Sequence, residues 1–321
     1  MLTISQFSRA KKEITSPTFA KWNFSSPSWA DFTKPTAQEL EALAVKTNIP
    51  LSILKESTHP HQRANVTVLD KYVQFVFIAS VKHEDSYTTT PLVMFLNKET
   101  LITIHEKPLP SFEQVYTLLK NHKEPLFERG MPSVAVHICS ALTENFFSSL
   151  EDLNSKIDHV EQEVIENPGN VHPRHIFKFK RTLLLYQRSL FPNKDAVVAL
   201  GSTTTLRFSP EDRREISDLA NDLNELLYLV STYQDILTNV LDMYLSSVSN
   251  NMNKIMKTLT IITAFVMIPT FIGSIYGMNF QQTSPWNMPE LYWQYGYLFA
   301  LGLMAVSVFI TYLVFKKKKW L

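Results

Sequence analysis

The residues whose types could carry chemistry fall into a few small groups. His59 and His61, the run His83, Glu84 and Asp85, and the pair His172 and His175 offer the nitrogen and oxygen donors that hold zinc. None has the spacing of a metal site: His172 and His175 flank Pro173 at a helix start, and no HExxH occurs. Surface or capping roles explain each more simply. Glu151, Asp152, Asp158, Glu161, Glu163 and Glu166 form an acidic set, ordinarily a solvated helix face and alternatively a collector of cations near a pore mouth. No Ser/His/Asp or Cys/His grouping emerges from the spacing, so an enzyme has no residues to stand on. No glycine precedes Gly130, which excludes a Walker loop or a dinucleotide loop in that part of the chain. A net charge of +1 argues against a nucleic-acid partner. Cys139 is alone, so no intrachain disulfide forms and a reducing compartment fits; it reads as small apolar filler in a helix.

What remains is a stretch defined by the charge it lacks, "IPTFIGSIYGMNFQQTSPWNMPEL", residues 268–291, whose first charge is Glu290. From Thr258 to Leu321 the only charges are Glu290 and Lys316, Lys317, Lys318 and Lys319, although 19% of the whole chain is charged. Two uncharged runs, Leu259 to Tyr276 and Tyr295 to Phe315, are each close to the roughly 20 residues that cross about 30 Å of hydrocarbon as helix. Lys254 and Lys257 precede the first and four lysines follow the second, whereas the connecting loop has no Lys or Arg. Both ends are therefore expected in the cytoplasm of a cell (inner or plasma) membrane, with the loop outside. Trp286, Tyr292, Trp293, Tyr295 and Tyr297 mark the outer interface. The opening "MLTISQFSRAKKEI" lacks the apolar segment of a secretory signal, so the polar body is not expected to be exported.

The elements that position these residues form an α+β arrangement. Residues 1–130 read as a cytosolic α/β domain: "NVTVLDKYVQFVFIASV" and "TPLVMFLNKETLITIHE" are β-rich, while "TAQELEALAVK" and "SFEQVYTLLKNH" have helical spacing with Thr36 and Ser111 as N-caps. Residues 131–257 read as long stalk helices. The first runs from about Ser133 to a stop at Asn167, Pro168 and Gly169, the second covers about 173–199, and the third starts at Ser209, Pro210, Glu211 and Asp212. No helix breaker follows until Pro269, so a helix of about 65 residues, roughly 100 Å long, is expected to run into the first membrane segment. The remaining segments are a first span at 258–276, an external loop at 277–294, a second span at 295–315 and a basic tail at 316–321.

Gly277 alone reads as a C-cap glycine, which leaves Asn279 and the uncharged loop unaccounted for. Tyr276, Gly277, Met278 and Asn279, followed by Phe280 and then by Met288, Pro289, Glu290 and Leu291, resemble the Tyr-Gly-Met-Asn signature and Met-Pro-Glu-Leu loop of the CorA family of magnesium and cobalt channels. "LDMYLSSVSNNMNKIMKTLTII" and the terminal "KKKKWL" are similar to that family too, so the likeness covers about residues 241–321.

The resemblance implies a homopentamer in a lipid bilayer whose first spans line a central pore for passive influx of Mg²⁺, with Co²⁺ or Ni²⁺ as further cargo. It implies selection at Gly277, Met278 and Asn279, with Glu290 raising cation concentration outside or serving only as a solvated loop carboxylate. Asn253, Met256, Leu259, Thr263, Met267, Thr270 and Ser274 fall on one helix face, as a pore lining with an apolar gate or as a packing stripe. The family commonly places its membrane proline one residue before Pro269, a shift of about 100° of helix. The resemblance further implies a regulatory Mg²⁺ at Asp218, near Asn221 and Asp222, with Asp85 or Glu84 of a neighbouring subunit as its partner. Two alternatives stand beside this reading: a Zn²⁺ exporter of the same family, and a membrane-anchored metal sensor or scaffold that conducts nothing.

Overall fold

In a computed structural model, the described residues are 2–8, 13–24, 26–83, 86–120, 129–169, 171–280 and 287–320. The chain divides into two compact units, Met1–Glu163 with Asn170–Leu241, and Val164–Gly169 with Asp242–Leu321.

The first unit is built on a seven-stranded sheet. Its strands are β1 (Leu2–Ser8), β2 (Glu13–Thr15), β3 (Ser28–Thr33), β4 (Asn65–Val68), β5 (Val73–His83), β6 (Ser86–Leu96) and β7 (Thr100–His105), in the order β2-β1-β3-β7-β6-β5-β4. Only β3 and β7 run parallel, and every other pairing is antiparallel. Strand β7 is buried along its whole length, as are residues 90–96 of β6, so the middle of the sheet is covered on both faces and its strands read as continuous apolar runs.

Helices α1 (Ala37–Thr47), α2 (Leu51–Glu56), α3 (Ser111–Lys120), α4 (Met131–Glu166) and α5 (Pro173–Ser202) accompany the sheet. Thr36 is the N-cap expected there, and the cap is reciprocal: the Thr36 hydroxyl accepts from the Glu39 amide while the Glu39 carboxylate accepts from the Thr36 amide. Ser111 is not the cap expected of it. It lies inside the first turn of α3, and its hydroxyl accepts from the Asn145 carboxamide. Trp29 of β3 stacks on Tyr116 of α3 with ring centroids 4.2 Å apart, and α5 packs on β4, β5 and β6. The compact unit extends well past residue 130, because α5 packs on the sheet and α4 and the first part of the next helix bury apolar stripes within the same unit.

That helix, α6 (Pro210–Tyr276), is 67 residues long and continues through Pro269. Its start is fixed by chemistry: the Ser209 hydroxyl accepts from the Asp212 amide (3.1 Å) and the Asp212 carboxylate accepts from the Ser209 amide (2.8 Å). Ile216, Leu219, Leu223, Leu226, Val230, Leu237 and Val240 are buried at three- and four-residue spacing, and no later residue of α6 is. In the second unit α7 (Gly296–Lys317) follows a short 3₁₀ turn, Pro289–Tyr292.

Candidate ion pathway

Within the second unit α7 runs antiparallel to the end of α6. The Lys257 ammonium donates to the Lys319 carbonyl (3.3 Å), the rings of Phe265 and Phe315 lie 5.9 Å apart, and Met304 sits beside Gly273. At 100° per residue, Phe265 points about 200° away from Thr263, so α7 covers the face of α6 opposite to Thr263. Both helices are long and apolar enough to cross a membrane, and the most apolar 18-residue window of α6 is entirely unburied.

The uncovered face of α6 is where the sequence-predicted residues fall. Asn253, Met256, Leu259, Thr263, Met267, Thr270 and Ser274 are all exposed. Thr263, Met267, Thr270 and Ser274 share an open groove of about 550 Å³ with Ile262, Val266 and Phe271. These last three were not singled out in the sequence, although their position within about 100° of Thr263, Met267 and Thr270 on the helix wheel is a signal that could have found them. The Thr263 hydroxyl donates to the Leu259 carbonyl (2.8 Å) and that of Thr270 to the Val266 carbonyl (2.7 Å). With their protons committed to the helix, both oxygens face the groove as acceptors.

Helix α6 ends at Tyr276, with the Gly277 amide donating to the Gly273 carbonyl and the Met278 amide to the Ile275 carbonyl. Gly277 is not the left-handed cap expected from the sequence. Gly130 is the only described glycine with positive φ, and a Cβ at Gly277 would meet the Gly273 carbonyl at an ordinary 3.4 Å. Asn279 is exposed, and its carboxamide has no hydrogen-bond partner among the described residues. Glu290 accepts from the Tyr276 hydroxyl at 3.1 Å, which joins the loop's one charge to the end of α6, a link not foreseen in the sequence. Gly296 is required here: a Cβ would stand 2.2 Å from the Glu290 carbonyl. Of the aromatic residues read as the outer interface, Tyr292, Trp293, Tyr295 and Tyr297 are exposed, and Trp286 lies outside the described residues.

Asp218 is exposed on α6, within electrostatic reach of Asp222. Partial burial, with the Glu225 and Asp218 carboxylates beside it, pushes the Asp222 carboxyl above its usual range. Glu84 and Asp85 lie outside the described residues. Among the described residues no group of three or more His, Cys, Asp or Glu side chains is arranged to hold a metal ion. The acidic set on α4 is partly taken up by local pairs: Asp152 with Lys156, Lys82 and Tyr87, and Glu163 with His159. Cys139 is buried, and burial pushes its thiol well above the usual range, as inert filler would be.

An α+β body, one helix whose second half is apolar and uncovered, and a second apolar helix antiparallel to it define an integral membrane protein of the two-span kind. The chain belongs to the CorA-like Mg²⁺ transporter protein family, whose profile matches residues 25–317. The cobalt/magnesium transport protein CorA of Methanocaldococcus jannaschii is 28% identical over 294 residues, 91% of each chain. That of Thermotoga maritima is 30% identical over 271 residues, 84% of this chain and 76% of the relative. The complete structure of the Methanocaldococcus jannaschii CorA magnesium transporter superposes with a TM-score of 0.86 at 25% identity, covering 100% of this chain and 99% of the other.

Proposed function

We propose that this protein is a homopentameric channel for passive influx of hydrated Mg²⁺, with Co²⁺ and Ni²⁺ as further cargo. The observation that carries the reading is the uncovered face of α6, where hydroxyl oxygens, a groove and an unpartnered carboxamide follow one another toward the end of the helix. An apolar helix with a polar stripe left open by its own chain is satisfied when copies of it surround a water-filled axis. The names of the Methanocaldococcus and Thermotoga relatives, cobalt/magnesium transport proteins, support the same cargo.

Mg²⁺ gives up its water reluctantly. A ring of Asn279 carboxamides hydrogen-bonds the hydrated ion without stripping it, while carboxylates would hold it too tightly to release. Below the ring, the Thr270 and Thr263 oxygens accept from the ion's water shell. Met256 and Leu259 then form the apolar constriction that shuts by dewetting. The membrane potential supplies about 2.3 kcal/mol per charge per 100 mV, hence about twice that for a divalent ion. Both termini are cytoplasmic, and cytosolic Mg²⁺ held between subunits at Asp218 closes the gate.

Uptake into sealed proteoliposomes tests the ring. Asn279→Ala abolishes Mg²⁺ uptake at unchanged assembly and melting temperature, because the removed group is exposed and leaves no cavity. Asn279→Asp binds cations more tightly and conducts poorly. Near-wild-type uptake by the alanine variant would reduce Gly277–Asn279 to a helix terminus, and Zn²⁺ as the only ion carried would move the chain to the exporter reading.

A further inference from the structure

A second polar cavity lies in the first unit, away from every residue placed in the ion pathway. It has a volume of about 320 Å³ and sits between the segment leading into β4, the middle of β5 and β6, and one face of α5. Its rim carries His61, Arg63 and Arg188, all exposed, and no carboxylate of the described residues lines it. Neither guanidinium has a salt bridge or hydrogen-bond partner among the described residues, although the chain holds almost as many acids as bases. Two unpaired arginines facing one concavity raise the local potential and offer planar donor forks of the shape that phosphate oxygens accept.

The floor is built and rigid. Ile78 stands opposite Pro91 in the β5–β6 ladder, at a pair that exchanges no hydrogen bonds. The Ile78 amide and carbonyl point away from β6, past the end of β4, to Asn193 of α5, whose carboxamide accepts from the one and donates to the other at 2.8 Å each. Asn193 thus takes the place of a strand beyond the end of β4. Pro60, Pro91 and Pro192, with Ala64 and Ile78, give the cavity apolar walls. Thr90 is 3% exposed, lines the cavity and has a hydroxyl with no partner among the described residues. Thr90 thus offers a ligand in the cavity a hydroxyl beside two free guanidiniums.

The geometry points to a binding site for a phosphorylated organic small molecule of mononucleotide size. Arg63 and Arg188 clasp the phosphate, Thr90 bonds to it or to the adjoining sugar, and the proline walls pack on the remainder. A cavity of this volume is at the small end of ligand sites and larger than one bare phosphate needs. None of its residues is among those placed in the ion pathway.

The test is isothermal titration of the full-length protein in detergent with AMP, inorganic phosphate and adenosine, in metal-free buffer. AMP is expected to bind, phosphate more weakly, and adenosine not measurably. Arg63→Ala and Arg188→Ala are each expected to weaken AMP about tenfold, as loss of a charge-assisted hydrogen bond does. Both side chains are exposed, so the variants should melt with wild type in the absence of nucleotide. Thr90→Val checks the floor with both arginines intact and is expected to weaken AMP by several-fold. AMP affinity unchanged in the double arginine variant, equal binding of adenosine, or no binding of AMP at millimolar concentration would each overturn the assignment.

Discussion

The residues that decide the site differ in how far their own backbone explains them. Gly296 is required by the Glu290 carbonyl pressed against it, whereas Gly277 has neither a positive φ nor a clash to account for it. Among the described residues Asn279 has no hydrogen-bond partner and Asp212 has several, so Asp212 fastens the fold while Asn279 stays open for the role proposed for it. Arg129 donates to Asp212 and, at 3.0 Å, to Glu215, and the Asp212 side chain is only 1% exposed. Burial pushes the Asp212 carboxyl up, but hydrogen bonds from Ser209 and Arg129 among others outweigh it and hold it below the usual carboxylate range. A depressed folded pKa contributes stability that is fully present above the unfolded value of 3.8 and is lost as pH falls through the folded one. Asp212→Asn should therefore cost about 3 kcal/mol at pH 7, where it leaves a largely buried arginine short of a charge. The difference from wild type should shrink once pH drops below about 4. Melting temperatures of both proteins across an acid series check it. A gap that stays constant with pH would assign the cost to packing instead of charge.

At the scale of elements, the sequence was readable where a segment's own pattern decides its structure and silent where distant partners do. The long uncharged runs and the Ser209–Pro210 start marked α6 and α7 because apolar length and capping are local properties. Strand β3, "SWADFT", was not read, since its Asp31 looks like a strand breaker until Thr103 and His105 supply it with hydrogen bonds across more than 70 residues. Asn193 was equally silent, because the ladder it completes at Ile78 lies 115 residues away. The groove on α6 was half legible: the three-and-four stepping found Thr263, Met267, Thr270 and Ser274 but not the residues flanking them. The proposed orientation of the two spans rests on charge, with lysines at one end of the hairpin and no Lys or Arg in the loop. A cysteine at Leu291, which is exposed, should react with an impermeant thiol reagent from outside intact cells, and one at Trp320 should react only after permeabilisation. Cys139 is buried and should stay silent in both assays. The reverse labelling pattern would put both termini outside and remove the basis for influx.

For the whole molecule the question under the proposed function is how such a channel would close when the cell is full of Mg²⁺, and the continuity of α6 offers a route. Asp218 and Leu259 lie 41 residues apart on one unbroken helix, roughly 60 Å of rise. Near Asp218 the Asp222 carboxyl is pushed above its usual range, first by partial burial and then by the neighbouring Glu225 and Asp218 carboxylates. No described cluster within one chain completes a metal site there, so a cation bound at Asp218 must draw ligands from a second subunit, from waters or from residues outside the described set. In the proposed pentamer, Mg²⁺ bridging the subunits would replace repulsion with attraction at each interface, and the rods would tilt or bend toward the closed arrangement and narrow the proposed Met256–Leu259 constriction. Mg²⁺ can shift that balance only by its differential affinity for closed over open. Asp218→Ala should therefore move inhibition by internal Mg²⁺ to concentrations about tenfold higher or more, and leave the ratio of Mg²⁺ to Co²⁺ permeation untouched because Asn279 is intact. Recording current in patches while titrating internal Mg²⁺ checks it. An inhibition curve that overlays wild type would place the sensor elsewhere, and a changed permeation ratio would mean that residue 218 acts on the pore itself.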